Sequence, residues 1–300
     1  MDALSQLVAT MRTGEPASYL ITHRAPWRRS YSPVQGSGIH VILQGSAVLL
    51  PSGAEPVALG VGDVVFTPRG AGHALADSAT TPLSGADTAS DTAADTAADG
   101  DGLTTVLLCG AYGLDRSRAH PMLLELPEYV HLPARLGHHP SLRAAIDLLG
   151  REVQDQRPGT DAAIPALLDM LLLFVLRAWT EDQDCDEGTG WAAALRDRPV
   201  STALSAIHRN PGRPWTVESL GAEAGLSRAA FARRFATLVG QPPLAYLTWW
   251  RLTTAARLLR ETDSSLHSVA QRVGYASEFA FANAFKREFG TAPGAYRRRG

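Results

Sequence analysis

An internal repeat near the end of the chain constrains the fold more than any other feature. Gly225-Leu226-Ser227, Phe231, Phe235, Gly240, Pro243 and Tyr246 recur as Gly274-Tyr275-Ala276-Ser277, Phe281, Phe285, Gly290, Pro293 and Tyr296, at an offset of 50 from Ser227 onward. In each copy a stretch rich in small residues (217–224 and 266–273) ends at a Gly, the residue best able to take the left-handed conformation of a tight turn. A Ser then supplies an oxygen to cap the next helix, and Phe at i and i+4 gives that helix an apolar face. The spacing predicts helix, short turn, helix, twice.

In such a motif the second helix enters the major groove and its exposed N-terminal residues face the base edges. With the Phe pairs turned inward, Arg228, Ala229, Ala232 and Arg233 are the outward positions of the first reading helix, and Glu278, Phe279, Ala282 and Asn283 those of the second. Arg233 has the fork that engages guanine, Asn283 pairs with adenine, and Ala229, Ala232 and Phe279 offer apolar contact to thymine methyls. Ser227, Arg234, Arg251, Ser277, Lys286 and Arg287 read as phosphate contacts, which position without specifying.

Charge supports this reading. Residues 1–198 carry 14 Arg against 24 acids, whereas residues 199–300 carry 13 Arg and one Lys against 6 acids. A compact basic segment on an acidic chain is the electrostatic footprint of a phosphate-binding domain. A plain helical bundle would pack the same Phe, Gly and Ala positions but has no need of a basic surface.

The run Gly274-Tyr275-Ala276-Ser277-Glu278-Phe279-Ala280-Phe281-Ala282-Asn283-Ala284-Phe285-Lys286-Arg287-Glu288-Phe289-Gly290, continued by Pro293 and Tyr296-Arg297, resembles the signature of the AraC/XylS regulators. The resemblance covers residues 199–300, including a long helix near 244–260 between the half-motifs. It implies one domain reading two successive major-groove segments.

The rest of the chain is of another kind. Strand-like runs at 39–43, 47–50, 64–66 and 103–108 are separated by Gly, Pro, Ser and Asp, which predicts an all-β barrel or sandwich. Residues 80–102, in which Asp-Thr-Ala recurs without a large apolar residue, read as a disordered loop. From Leu142 the period becomes helical, with Leu142, Ile146, Leu149 and Val153, then Ile164, Leu168, Leu171, Val175 and Trp179. The apolar stretch 162–178 is interrupted by Pro165, Asp169 and Arg177 and reads as a buried helix, short of a bilayer span. Cys109 and Cys185 are too few for a disulfide framework, and no secretory signal is visible in the first thirty residues, so a cytoplasmic protein is expected.

Residues 62–73, from Gly62-Asp63-Val64 to Gly72-His73, resemble the second cupin motif, and Gly38-Ile39-His40 to Gly45 sits where the first would be. The first motif normally supplies two His and one Glu; here only His40 stands in place. The Leu108-Cys109-Gly110 and His120-Pro121-Met122-Leu123 segments extend the likeness to AraC-family members with a cupin-type N-terminal domain. There the domain receives a signal and often dimerises. His40 and His73 are read first as polar lining residues that orient an effector, and His138-His139 as a solvated turn.

The expected fold is therefore α+β and multidomain: a cupin-like sensor barrel over 1–135, a helical linker and dimerisation module over 136–198, and an all-α domain with two helix-turn-helix motifs over 199–300. The function is sequence-specific transcriptional regulation without catalysis; the alternative is a cupin-type metal enzyme fused to a DNA-binding tail. No cofactor is required, a metal held weakly by His40 and His73 being the exception left open. Double-stranded promoter DNA, RNA polymerase, a small-molecule effector and a second copy of the chain are the expected partners, and no membrane.

Overall fold

The computed structural model describes residues 4–5, 8, 16–34, 36–82, 101–113, 120–135, 137–155, 157–183 and 189–298. Most of the tract read as a disordered loop, and Cys185, lie outside the described residues. The chain divides into two compact units, one of Met11–Gln183 and one of Met1–Thr10 with Asp184–Gly300.

The first unit contains nine described strands: β1 (Ala17–Arg24), β2 (Arg28–Tyr31), β3 (Ser37–Gln44), β4 (Ala47–Pro51), β5 (Val57–Leu59), β6 (Val64–Thr67), β7 (His73–Ala76), β8 (Thr104–Tyr112) and β9 (Val130–Leu132). They form a five-stranded sheet, β1-β8-β3-β6-β9, and a four-stranded sheet, β2-β7-β4-β5, antiparallel throughout. Ile21, Ile42, Val65 and Leu107 of the first sheet share one core with Leu49, Leu59 and Leu75 of the second. The two sheets therefore face one another, and the expected barrel is built as a jelly-roll-like sandwich. Trp27 is buried in the same core.

Strand β3 is buried on both faces, which explains why it reads as a continuous apolar run rather than an alternating one. His40 pairs in register with Cys109 and Val65, so these three share the inward face of the five-stranded sheet. Its outer face is covered by helices. A short helix α1 (Pro121–Glu125) is capped by the His120 ring, and α2 (Pro140–Asp155) and α3 (Thr160–Asp182) pack on each other and on the sheet. Gly110 lets α3 approach, since a Cβ there would lie 3.1 Å from Leu168, and the neighbouring Tyr112 hydroxyl donates to the Leu168 carbonyl. Helix α3 runs longer than the apolar stretch read from the sequence, and by length and composition it could cross a bilayer. Its Leu168, Leu171, Leu172, Val175 and Leu176 are buried inside this unit.

The second unit is helical: α4 (Gly190–Arg196), α5 (Arg198–Arg209), α6 (Val217–Glu223), α7 (Arg228–Val239), α8 (Pro243–Glu261), α9 (Leu266–Arg272), α10 (Glu278–Phe289) and α11 (Pro293–Arg297). The repeat appears as repeated local chemistry. Ser227 and Ser277 cap α7 and α10 by accepting from the N–H groups of Ala230 and Ala280. Gly240 and Gly290 end the same helices in the left-handed region, and Pro243 and Pro293 start the following ones. Thr216 closes a reciprocal capping box with Ser219 at the start of α6, and Ser265 caps α9.

The two turn glycines differ in surroundings. Gly225 (φ 69°) has open space where a Cβ would go, whereas a Cβ on Gly274 (φ 82°) would lie 2.9 Å from the Gly212 carbonyl oxygen and 2.7 Å from the Arg251 guanidinium. Gly225→Ala should cost only the left-handed strain, about 1–2 kcal/mol. Gly274→Ala should cost clearly more. Chemical denaturation of both variants measures the difference, and equal losses would contradict the tight approach at Gly274.

Candidate functional site

Within the sandwich, His40, His73, Cys109 and Tyr31 line a cavity of about 520 Å³ together with Tyr19, Thr67 and Tyr112. Strand register puts them there: Tyr31 pairs with His73 across β2 and β7, and His40 with Cys109 across β3 and β8. His73 Nδ1 lies 2.9 Å from the Ala71 carbonyl oxygen, which only accepts, so that nitrogen carries the proton. Burial pushes both imidazoles below their ordinary pKa, and His73 opposite depresses His40 further. A neutral His73 presents its Nε2 lone pair, and the His40 Nε2–H donates to it across 2.9 Å. His40 Nδ1 is then the acceptor left for the Cys109 thiol, whose Sγ lies 3.2 Å away.

The result is a directional chain from thiol to imidazole to imidazole to carbonyl. Burial pushes the Cys109 thiol up to about 12, so it stays protonated and donates rather than attacking. The Tyr31 ring stacks on His73 at 5.0 Å between centroids, and its hydroxyl lies 4.0 Å from Sγ. Sequence reasoning placed Cys109 in an apolar strand but missed its contact with His40, which only the β3–β8 register reveals.

These residues do not suit a cupin metal centre. Cys109 lies on Nδ1 of His40, the nitrogen opposite the one that faces His73 Nε2, so the thiol cannot join the two imidazoles at one ion and two ligands are all that could meet there. A stable site wants three or four converging ligands. Of the other cupin-motif residues, Asp63 accepts from Gly60 N, Ala134 N and His131 Nε2, and Arg69 donates to the carbonyls of Leu123 and Leu126. Both hold loops in place.

In the second unit α7 and α10 each bury their phenylalanine pair and expose the opposite side. Phe231, Phe235, Phe281 and Phe285 are fully buried. Arg228, Ala229 and Arg233 are exposed on α7, as are Glu278, Phe279 and Asn283 on α10, while Ala232 and Ala282 are half-buried. Phe279, at 78% exposure, is a large apolar side chain held in solvent beside the helix start. Lys286, Arg287 and the caps Ser227 and Ser277 are exposed as well.

Two of the expected phosphate contacts are engaged within the chain. The Arg234 guanidinium donates to Asp197, through Nε at 2.7 Å and also through Nη2. Asp197 at the same time caps α5 by accepting from Val200 N at 3.0 Å, so α7 is tied to α5 through one carboxylate. Arg251 is half-buried and donates to the carbonyls of Pro211 (2.7 Å) and Arg213 (2.8 Å), bracing the loop before α6. No sequence motif announces either brace, because the partners lie about forty residues away.

Arg233, like Arg228, is exposed on α7. Arg233→Ala should relax preference at one base position, by about 1–3 kcal/mol of discrimination, while Arg287→Ala should weaken all sequences alike. Binding selections on both variants, read base by base, check this. A uniform loss with Arg233→Ala would make Arg233 a phosphate contact instead.

Comparison with known proteins agrees with both halves. A cupin family model matches residues 2–181 and a helix-turn-helix domain model matches residues 220–299. A putative AraC-like transcription regulator of Streptomyces lividans is 34% identical over 99% of this chain and 98% of its own length. One of Streptomyces antibioticus is 32% identical over 99% of each chain. The HTH-type transcriptional regulator MtrA of Neisseria gonorrhoeae is 32% identical over all of this chain and 99% of its own. With the paired reading helices and the cupin sandwich on one chain, this protein belongs to the AraC-type transcriptional regulators with a cupin N-terminal domain.

Proposed function

We propose that this DNA-binding regulator is a cytoplasmic, non-catalytic receptor whose sandwich cavity takes a small effector and alters promoter binding. The observation that carries this reading is the closed, uncharged network of His40, His73 and Cys109 at the wall of a ligand-sized cavity. Pockets of this kind bind a largely apolar body and fix it with a few polar groups. Here the stacked Tyr31 and His73 rings supply the apolar wall, and the hydroxyls of Tyr19 and Tyr31 supply hydrogen bonds. A thiol kept protonated and imidazoles engaged with each other leave no activated nucleophile or base, which supports a receptor rather than an enzyme.

Self-association and contact with RNA polymerase complete the proposal. Leu148 on α2 and Met170 on α3 are more than two-fifths exposed, an apolar surface suited to a second copy of the chain. Sedimentation of the full chain at micromolar concentration measures the dimer.

The effector reading is tested by thermal-shift screening of small aromatic and hydroxylated compounds against the full chain. Ligands that raise the melting temperature should also change affinity for operator DNA, and His73→Ala should abolish both effects while Cys109→Ser retains at least part of them. Ligands that bind without altering DNA affinity, or that bind His73→Ala as tightly as wild type, would contradict the proposal.

A further inference from the structure

The turn ahead of α2 and the end of α3 bring together a second group of metal-ligating side chains, remote in sequence from the sandwich cavity. His138, His139 and Asp182 each offer a ligand atom, and all three atoms lie within 4.8 Å of one another. His139 Nε2 is 3.0 Å from Asp182 Oδ1, and its Nδ1 is 3.2 Å from Glu181 Oε2. The His139 side chain is only 12% exposed, whereas Asp182 is 44% exposed and open to an incoming ion. The His138 ring sits beside it, 6.0 Å between centroids and exposed.

We propose that His138, His139 and Asp182 bind a first-row divalent cation of the zinc class, with Glu181 orienting His139. Imidazole and carboxylate together select zinc, cobalt or nickel over magnesium or calcium, which take oxygen ligands. Ligands bonded at about 2.0–2.2 Å around one ion stand roughly 3 Å apart, and the Nε2 to Oδ1 separation already has that size. The Nδ1–H donated to Glu181 is the arrangement that fixes tautomer and ring direction in metal-bound histidines. The cation would stand between Nε2 and Oδ1, with the other ring nitrogen held on Glu181. The remaining positions around the ion are filled by His138 and water.

Such a site has a structural consequence. It joins the residues ahead of α2 to the last turn of α3, about 43 positions away, and Asp182 lies next to the boundary with the second unit at Gln183. Cation binding stabilises whichever state holds the ligands together. It would therefore fix the α2–α3 pair at the point where the chain leaves the sandwich unit.

Cobalt titration of the full chain, followed by its ligand-field absorption and by displacement with zinc, tests the site. One equivalent should bind saturably at micromolar concentration and raise the melting temperature. His139→Gln and Asp182→Asn should each weaken uptake by about tenfold or more, and Glu181→Gln by about tenfold. His138→Ala removes an exposed ring and so keeps the fold, yet should also weaken uptake. The double variant His40→Gln, His73→Gln should bind as wild type does, provided circular dichroism shows it folded. Uptake unaffected by His138→Ala and His139→Gln, loss confined to the His40 and His73 variant, or no saturable binding below millimolar cobalt would each overturn the proposal and leave a plain ion pair.

Discussion

Two buried phenylalanines, four residues apart, set the rotation of α7 and of α10, and which side chains these helices expose depends on that rotation. Phe231 and Phe235 on α7, and Phe281 and Phe285 on α10, are sealed into the helical core, the second pair among Leu252, Ala256, Val269 and Tyr296. A helix anchored along one stripe has no freedom to turn, so Arg228 and Arg233 in one copy and Glu278, Phe279 and Asn283 in the other are presented outward by default. Truncating such a ring costs about 3–5 kcal/mol. The serine caps and left-handed glycines fix where each helix begins and stops, and the Asp197–Arg234 and Arg251 braces fix the neighbours of α7 and α6.

The sandwich follows another economy. Its apolar core holds the two sheets together, while one end of the space between them is lined with histidines, tyrosines and a thiol. Buried polar groups are tolerable when each finds a partner, and the chain from Cys109 through His40 and His73 to the Ala71 carbonyl satisfies them without any charge. A ligand entering here meets groups whose protonation is already settled. That favours recognition by hydrogen-bond direction over recognition by charge.

The helical domain was legible in the sequence because its signals are local: caps, turn glycines and Phe pairs act within a few residues, and their recurrence at a constant offset is visible without a structure. The strands of the sandwich were legible as runs, but their order was not, because pairing β1 with β8 or β2 with β7 joins residues 42 to 94 positions apart. That is why His40 and His73 were found by motif while the contact of His40 with Cys109 was not. The same reason hid the engagement of Arg234 by Asp197 and of His139 by Glu181 and Asp182: a charged residue read from sequence shows its chemistry but not its partner.

The central claim is that one domain reads two successive major-groove segments through α7 and α10. Hydroxyl-radical footprinting of the full chain on DNA selected from a random pool measures it most directly. The account predicts two protected, sequence-constrained clusters on one face of the duplex, about 10 base pairs apart, with the preferences of one cluster changed by substitutions on α7 and those of the other by substitutions on α10. A single cluster per bound domain, or two clusters that both respond to α7 alone, would contradict it.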